Sequence, residues 1–174
     1  MIIKTNRLGL RELTQDDFPA LCEMLKDGET MRAYEGAFSD DEAHEWLDRQ
    51  IARYKKWGFG LWAAVLAESG RLIGQCGLTM QPWKDREVLE VGWIFNRAYW
   101  HCGYATEVGA ACKAYAFDIL GAAEVCSIIR DTNTASQNVA LRIGMTKRDE
   151  WTKHYRGVEM PHFRYVAARE QKDA

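Results

Sequence analysis

The sequence predicts an α/β fold with a central mixed, mostly antiparallel sheet flanked by helices, and three observations predict it. Two short segments with helical spacing follow the first strand-like stretch. A meander of apolar runs separated by turn residues then fills the middle, from Gly60 to Phe95. Finally, the apolar strand Val88 to Phe95 leads to a helix rich in small residues that opens at Gly103-Tyr104-Ala105-Thr106. Successive strands joined by turns pair antiparallel, whereas a strand reached through a helix can pair parallel, so both kinds of pairing are expected. At 174 residues the chain has one domain's length, with a core spanning about 8–168.

Leu8-Gly9-Leu10-Arg11-Glu12-Leu13 alternates as a strand does. Thr14-x-x-Asp17 resembles a capping box with Asp in place of Glu or Gln. Phe18, Leu21, Cys22 and Leu25 then recur at i, i+3, i+4 and i+7, and Gly28 is placed to cap the end. Ser39-x-x-Glu42 opens a second helix whose stripe is Ala43, Trp46, Leu47, Ile51 and Tyr54. Gly60 to Leu66 and Leu72 to Leu78 form a hairpin around Glu68-Ser69-Gly70, with Gly74 and Gly77 marking a bulge or a close backbone approach. Pro82-Trp83-Lys84-Asp85 turns the chain into the strand ending at Phe95. Val125 to Ile129 is a β-branched strand, and Ser136 to Ile143 a short helix stopped by Gly144. Lys147 to Tyr155 and Met160 to Ala168 are two strands around the Arg156-Gly157 turn. Glu170 to Ala174 reads as a frayed tail.

Composition narrows the function. A net charge of -2 and a pI near 6.1 oppose a non-specific nucleic-acid binder, which needs a basic face. Apolar runs fall far short of the ~20 residues of a membrane span, and the first residues are no secretory signal, so a cytoplasmic location is expected. Cysteines 22, 76, 102, 112 and 126 form no C-x-x-C pair and leave one over; reduced, mostly buried thiols are expected rather than disulfides or a metal site.

The strand-to-helix passage around 102–107 is an anion site in its chemistry. First-turn N–H groups lack intrahelical partners and the peptide dipoles add positive charge, so a phosphate is held by backbone and small residues suit the place. The dinucleotide fingerprint G-x-G-x-x-G is matched poorly, and a phosphate loop ending in Gly-Lys-Ser/Thr is absent.

Glu90-Val91-Gly92-Trp93-Ile94-Phe95, then Tyr99-Trp100-His101-Cys102-Gly103-Tyr104-Ala105-Thr106-Glu107, then Asn133-Thr134-Ala135-Ser136 through Val139 to Ile143-Gly144-Met145, resemble the GNAT family of N-acetyltransferases. Motif order and spacing fit from about Leu8 to Val166, and the likeness is greatest to the branch of ribosomal-protein N-terminal acetyltransferases. The resemblance implies a splayed sheet and acetyl-CoA as co-substrate. It puts the pyrophosphate on the helix-opening loop (His101, Cys102, Gly103, Tyr104, Ala105, Thr106) and the pantetheine along Trp93, Ile94 and Phe95. Asn133 and Asn138 would meet the pantetheine and the nucleotide end, where amides can both donate and accept. The loop of residues 30–38 would wall the acceptor pocket, with Trp93 and Trp100 near it. His101 replaces the glycine of the family's Trp-Gly-x-Gly-Tyr-Ala pattern, which a negative φ there would accommodate.

Acetyl transfer needs a polarised thioester carbonyl, a neutral amine and a protonated leaving sulfur. The resemblance implies that a backbone N–H around Trp93 to Phe95 meets the first need. For the second, Glu90 is the one ionisable group within the run Val88 to Phe95; it is either the general base or an ion-pair partner of Arg71, Arg86 or another nearby base. For the third, Ser136 stands where the resembled branch has a serine near the cofactor sulfur, with helix capping as its other reading. Tyr155 is the second candidate, since the resemblance implies a tyrosine beyond this helix, but the usual position, soon after Gly144-Met145, holds Thr146-Lys147-Arg148 and weakens a tyrosine mechanism. Glu35, Asp40, Asp41 and Glu42 either attract a cationic amine or simply form a solvated helix start. The acceptor expected is a primary amine: a protein N-terminus, a polyamine, an aminoglycoside or another small molecule. A non-catalytic acyl-CoA-sensing module is the alternative, and a Rossmann-type enzyme fits least. No metal or nucleic acid is expected; the protein is expected to be a monomer or a homodimer through edge strands or the 82–87 turn.

Overall fold

Alternation and turn chemistry in the first half of the chain produce a run of antiparallel strands, and the computed structural model describes residues 1–169 of the result. In chain order the elements are β1 (Ile3–Lys4), β2 (Leu8–Arg11), α1 (Phe18–Leu25), α2 (Asp40–Trp57), β3 (Leu61–Leu66), β4 (Leu72–Trp83), β5 (Arg86–Phe95), α3 (Tyr104–Asp118), β6 (Glu124–Arg130), α4 (Thr134–Arg142), β7 (Thr146–Tyr155) and β8 (Val158–Ala168). They form an 8-stranded sheet in the order β1-β2-β3-β4-β5-β6-β8-β7. Every pairing is antiparallel except β5 with β6. The expected tail from Glu170 lies outside the described residues.

The core is the helix stripes set on this sheet. Leu21 and Leu25 of α1, Leu47 of α2 and Leu8 and Leu10 of β2 are fully buried, each contributing about 2 kcal/mol of transfer free energy. The Cys112 thiol of α3 meets that of Cys76 on β4, 3.6 Å apart, which places α3 on the face of β5 that carries Val91, Trp93 and Phe95. Trp46 of α2 donates its indole N–H to Gln75, 3.0 Å, on the opposite face, which carries Glu90, Gly92 and Ile94. Gly77 is required by a close approach: an added Cβ would stand 2.0 Å from the Gly60 carbonyl oxygen, the acceptor of the Leu78 N–H. The expected irregularity is present as well, a register shift between Ala64 and Val65 opposite Gly74. All five cysteines are free; Cys76, Cys112 and Cys126 are buried and Cys102 is exposed.

Three expected boundaries are corrected. Gly28 does not cap α1. The helix stops at Leu25, because Asp27 accepts from the Thr30 N–H and hydroxyl and starts a new turn. The 82–85 turn narrows to Lys84 and Asp85, since β4 runs through Pro82 and Trp83. β3 begins opposite Gly77, so the outer part of β4 beyond that point has a neighbour on one side only and tolerates proline. α4 starts at Thr134 rather than Ser136, capped by Asn133. The second capping box is as expected: Ser39 accepts from the Glu42 N–H at 3.2 Å and Glu42 from the Ser39 N–H at 2.8 Å.

Candidate active site

The sheet opens between β5 and β6. These parallel strands share one paired position, Glu90 with Cys126, and diverge after it. Three hydrogen bonds reveal how β5 is turned at the opening. The Val91 carbonyl accepts from the Ser127 hydroxyl (2.7 Å) and the Phe95 carbonyl from the Trp100 indole N–H (2.7 Å). The Asn96 N–H points the other way, to the Ile73 carbonyl (3.0 Å). Backbone groups alternate sides along a strand, so the Trp93 N–H faces away from β4, into the gap.

The second component is the start of α3. Gly103 caps it in the left-handed region with φ 79°, and helical hydrogen bonding begins at the Glu107 N–H on the Gly103 carbonyl, 3.0 Å. The N–H groups of 101–106 meet no protein acceptor among the described residues. His101 does not take the negative φ that a side chain would prefer. It sits at φ 61°, the same left-handed region that the glycine it replaces would use, and histidine is among the residues that tolerate it best. The loop is held by a residue that sequence reasoning missed. Arg7 gives Nε to Glu107 Oε2 (2.7 Å) and Nη1 to the Cys102 carbonyl (2.9 Å), and its guanidinium lies 4.5 Å over the Tyr104 ring. Thr5 completes the grip with its hydroxyl on Glu107, 2.7 Å. Arg7→Ala is expected to loosen this loop and raise the Kd for CoA roughly fivefold, about 1 kcal/mol, as read by calorimetric titration.

The third component is a cavity of about 350 Å³ between α2, the turn of residues 32–34 and the sheet face that carries Glu90. Tyr34, Arg53, Glu90, Trp93, Lys153 and His162 are among its lining residues. Glu90 is fixed by the Thr79 hydroxyl on Oε2 (3.1 Å) and the Ile128 N–H on Oε1 (3.2 Å). Burial pushes its carboxyl up, against the opposing pull of Lys153 and these two hydrogen bonds. Arg71 pairs with Glu23, at 3.3 Å, and Glu90 has no basic partner within 4.0 Å among the described residues, with Lys153 and Arg53 acting on it from farther away. His162 is a second unforeseen member. Its Nδ1 lies 2.8 Å from the Met160 carbonyl, which can only accept, and burial lowers its pKa, so the neutral ring presents Nε2 as an acceptor.

Of the remaining candidates, the geometry brings some together and separates others. Ser136 accepts from the Trp93 indole N–H at 3.3 Å and does not cap α4. That job belongs to Asn133, whose Oδ1 accepts from the Ser136 N–H at 3.1 Å, because it directly precedes the helix while Ser136 lies inside it. Asn133→Ala is therefore expected to cost about 1 kcal/mol of stability, and Ser136→Ala much less, in a urea titration. Asn133, Ser136 and Ile94 line the cavity, and Tyr155 joins them from β7. Asn138 is exposed on α4. The Phe95 side chain is buried beside Gly74. Trp100 does not border the cavity; its indole ties the loop to Phe95. Three of the four acidic residues are paired, Glu35 with Arg130, Glu42 with Arg156 and Asp40 with Lys26, while Asp41 lies exposed in the first turn of α2.

Comparison with known proteins agrees with this geometry. Residues 7–146 match the family model described as an acetyltransferase (GNAT) domain. An uncharacterized Bacillus subtilis protein, YkkB, is 33% identical over 142 residues, 81% of this chain and 83% of that protein. The solved acetyltransferase of Agrobacterium tumefaciens str. C58 has a TM-score of 0.80 at 26% identity, covering 96% of this chain and 94% of that one. The ribosomal-protein-S5-alanine acetyltransferase of Vibrio fischeri has a TM-score of 0.77 at 13% identity, covering 99% and 98%, a likeness of fold. With its sheet opened beside a helix start whose N–H groups are unpaired, and with a family match that runs over most of its length, the chain belongs to the GNAT family of acetyltransferases.

Proposed function

We propose that this protein moves an acetyl group from acetyl-CoA to a primary amine, either a protein N-terminus or a small molecule, by direct attack at the β5–β6 opening. The observation that carries the reading is the convergence there of the Trp93 N–H, the Glu90 carboxylate and the Ser136 hydroxyl. The residues fit the co-substrate: the unpaired N–H groups of 101–106 suit its pyrophosphate, and the gap suits an extended pantetheine arm. Acetyl-CoA supplies the acetyl group as an activated thioester.

Each need of the reaction then falls to one group. The Trp93 N–H donates to the carbonyl oxygen, where negative charge grows as the amine attacks. Glu90, directly or through a water, accepts the proton that the amine must lose, and its raised pKa makes it a better base than an ordinary carboxylate. The Ser136 hydroxyl takes a hydrogen bond from the Trp93 indole, which leaves its O–H free to donate a hydrogen bond to the departing sulfur. A C–N bond forms and the C–S bond breaks; the amine's proton goes to Glu90, and the thiolate leaves hydrogen-bonded to Ser136 and takes its proton from solvent.

Mass spectrometry of peptides with free N-termini, lysine peptides, polyamines and aminoglycosides, each incubated with protein and acetyl-CoA, tests the reading. A gain of one acetyl mass in one class supports it. Intact acetyl-CoA and unmodified acceptors throughout would favour a module that binds acyl-CoA without transfer.

A further inference from the structure

We propose that the acceptor is a primary amine carrying an anionic group of its own, a carboxylate or a phosphate, held by Arg49, Arg53 and Lys153 while the amine faces Glu90. The proposal rests on the acetyl-transfer reading and names the substrate class of that same cavity.

The charge of the lining carries the inference. Arg49, Arg53, Arg130 and Lys153 line the cavity, and Glu90 is its one acidic lining residue among the described residues. α2 supplies the first two, β6 the third and β7 the fourth, so positive charge stands on the roof and on the floor. Glu90 lies between them, in the fields of Lys153 and Arg53.

Pairing separates these cations from the arginines that the fold uses for structure, and partial burial separates Arg53 and Lys153 from the unpaired cations at the surface. Where the fold uses an arginine for structure, it supplies a carboxylate: Arg164 has Asp149 at 3.0 Å and Glu124 at 2.8 Å, Arg11 has Asp17 at 2.7 Å, and Arg7 has Glu107 at 2.7 Å. Arg130 is likewise paired, with Glu35. Arg49, Arg53 and Lys153 have no carboxylate within 4.0 Å among the described residues. The nearest polar contact of Arg53 is the neutral Gln50 side chain, 3.0 Å from Nη1. Burial lowers the pKa of both Arg53 and Lys153, so each holds its charge at a cost that an incoming anion would offset. Arg130 adds a further donor, since its Nε is buried without a partner.

A polyamine suits this lining badly. It would bring several positive charges against the unpaired Arg49, Arg53 and Lys153, and Glu35, Glu42 and Asp40 on the neighbouring loop and helix start are already paired with Arg130, Arg156 and Lys26. An amine with an adjacent anion resolves both ends: the anion meets the unpaired cations, and the nitrogen is left to the one carboxylate.

Matched pairs test this: glycine against glycinamide, phenylalanine against phenethylamine, and phosphoethanolamine against ethanolamine. Spermidine serves as the cationic control, and a peptide with an acidic second residue as the macromolecular source. Two readouts are taken, the Kd for each compound on CoA-saturated protein by calorimetry, and acetylated product by mass. The expected result is that the anion-bearing member binds at least about tenfold more tightly. Arg53→Gln and Lys153→Gln should each erase most of that preference while leaving the affinity for CoA unchanged, which also shows the variants folded. Equal binding within pairs, tighter binding of spermidine, or no binding of any anion-bearing compound at millimolar concentration overturns the proposal. A clear preference without product sustains the ligand class and sinks the transfer reading instead. The carboxylate, phosphate and peptide arms then identify the source of the anion.

Discussion

Glu90→Gln is expected to lower kcat about a hundredfold at neutral pH and, at the same pH, to raise the melting temperature. The amide is nearly isosteric. Its oxygen can accept from the Ile128 N–H, and its NH₂ can donate to the Thr79 hydroxyl, so the two contacts at 3.2 and 3.1 Å survive and the fold is not disturbed. What is lost is the ability to take a proton. In the native protein the rate should rise with pH through the elevated pKa of Glu90, because only the ionised carboxylate is a base. In the variant that limb disappears, and the rate climbs instead toward the amine's own pKa.

The stability change has the opposite sign for the same cause. The carboxyl is raised in the folded state, so on raising the pH the unfolded chain ionises first, near the ordinary value of 4.5, and folding loses stability until the folded pKa is passed. Glutamine escapes this loss. The two proteins should melt together at low pH and separate above the ordinary glutamate range, with the variant the more stable. An unchanged rate together with a lower melting temperature would make Glu90 a structural residue.

Gly103→Glu is expected to weaken CoA binding at least tenfold, measured by calorimetry. Room is not the obstacle, since an added Cβ would find its nearest neighbour, Arg7 Nη2, at 3.5 Å. The backbone is: φ 79° at Gly103 costs a residue with a Cβ about 1–2 kcal/mol. The new carboxylate then stands beside the unpaired N–H groups of 101–106, where it repels a pyrophosphate and competes for the same donors. It also offers Arg7 an alternative to Glu107. Gly103→Asn separates the effects, because asparagine tolerates the left-handed region and carries no charge; a loss of less than about threefold is expected for it. Equal binding by the glutamate variant and the native protein would move the phosphate site elsewhere.

The legible parts of the chain are those encoded over a few residues. The α2 capping box, the glycine at Gly77 and the helix opening at Gly103 each depend on local backbone chemistry, and the structure holds all three where the spacing put them. Errors arose where two local signals competed. Gly28 was available as a cap, but Asp27 turned the chain first, and among Asn133, Thr134 and Ser136 the residue directly before the helix took the capping role. Arg7 carried no local signal at all, because its partner Glu107 lies 100 residues away.

By itself, then, the sequence determined the element order, the helix opening at Gly103 and the family, because hydrophobic period, caps and glycine positions act over one or two turns of chain. The tertiary structure alone decided that β5 and β6 part after Glu90, that the Trp93 N–H faces the gap, and that unpaired cations from α2 and β7 face Glu90 across one cavity. Those features come from strand register and from helices laid across a sheet, which join residues whose separation in sequence leaves no pattern to read.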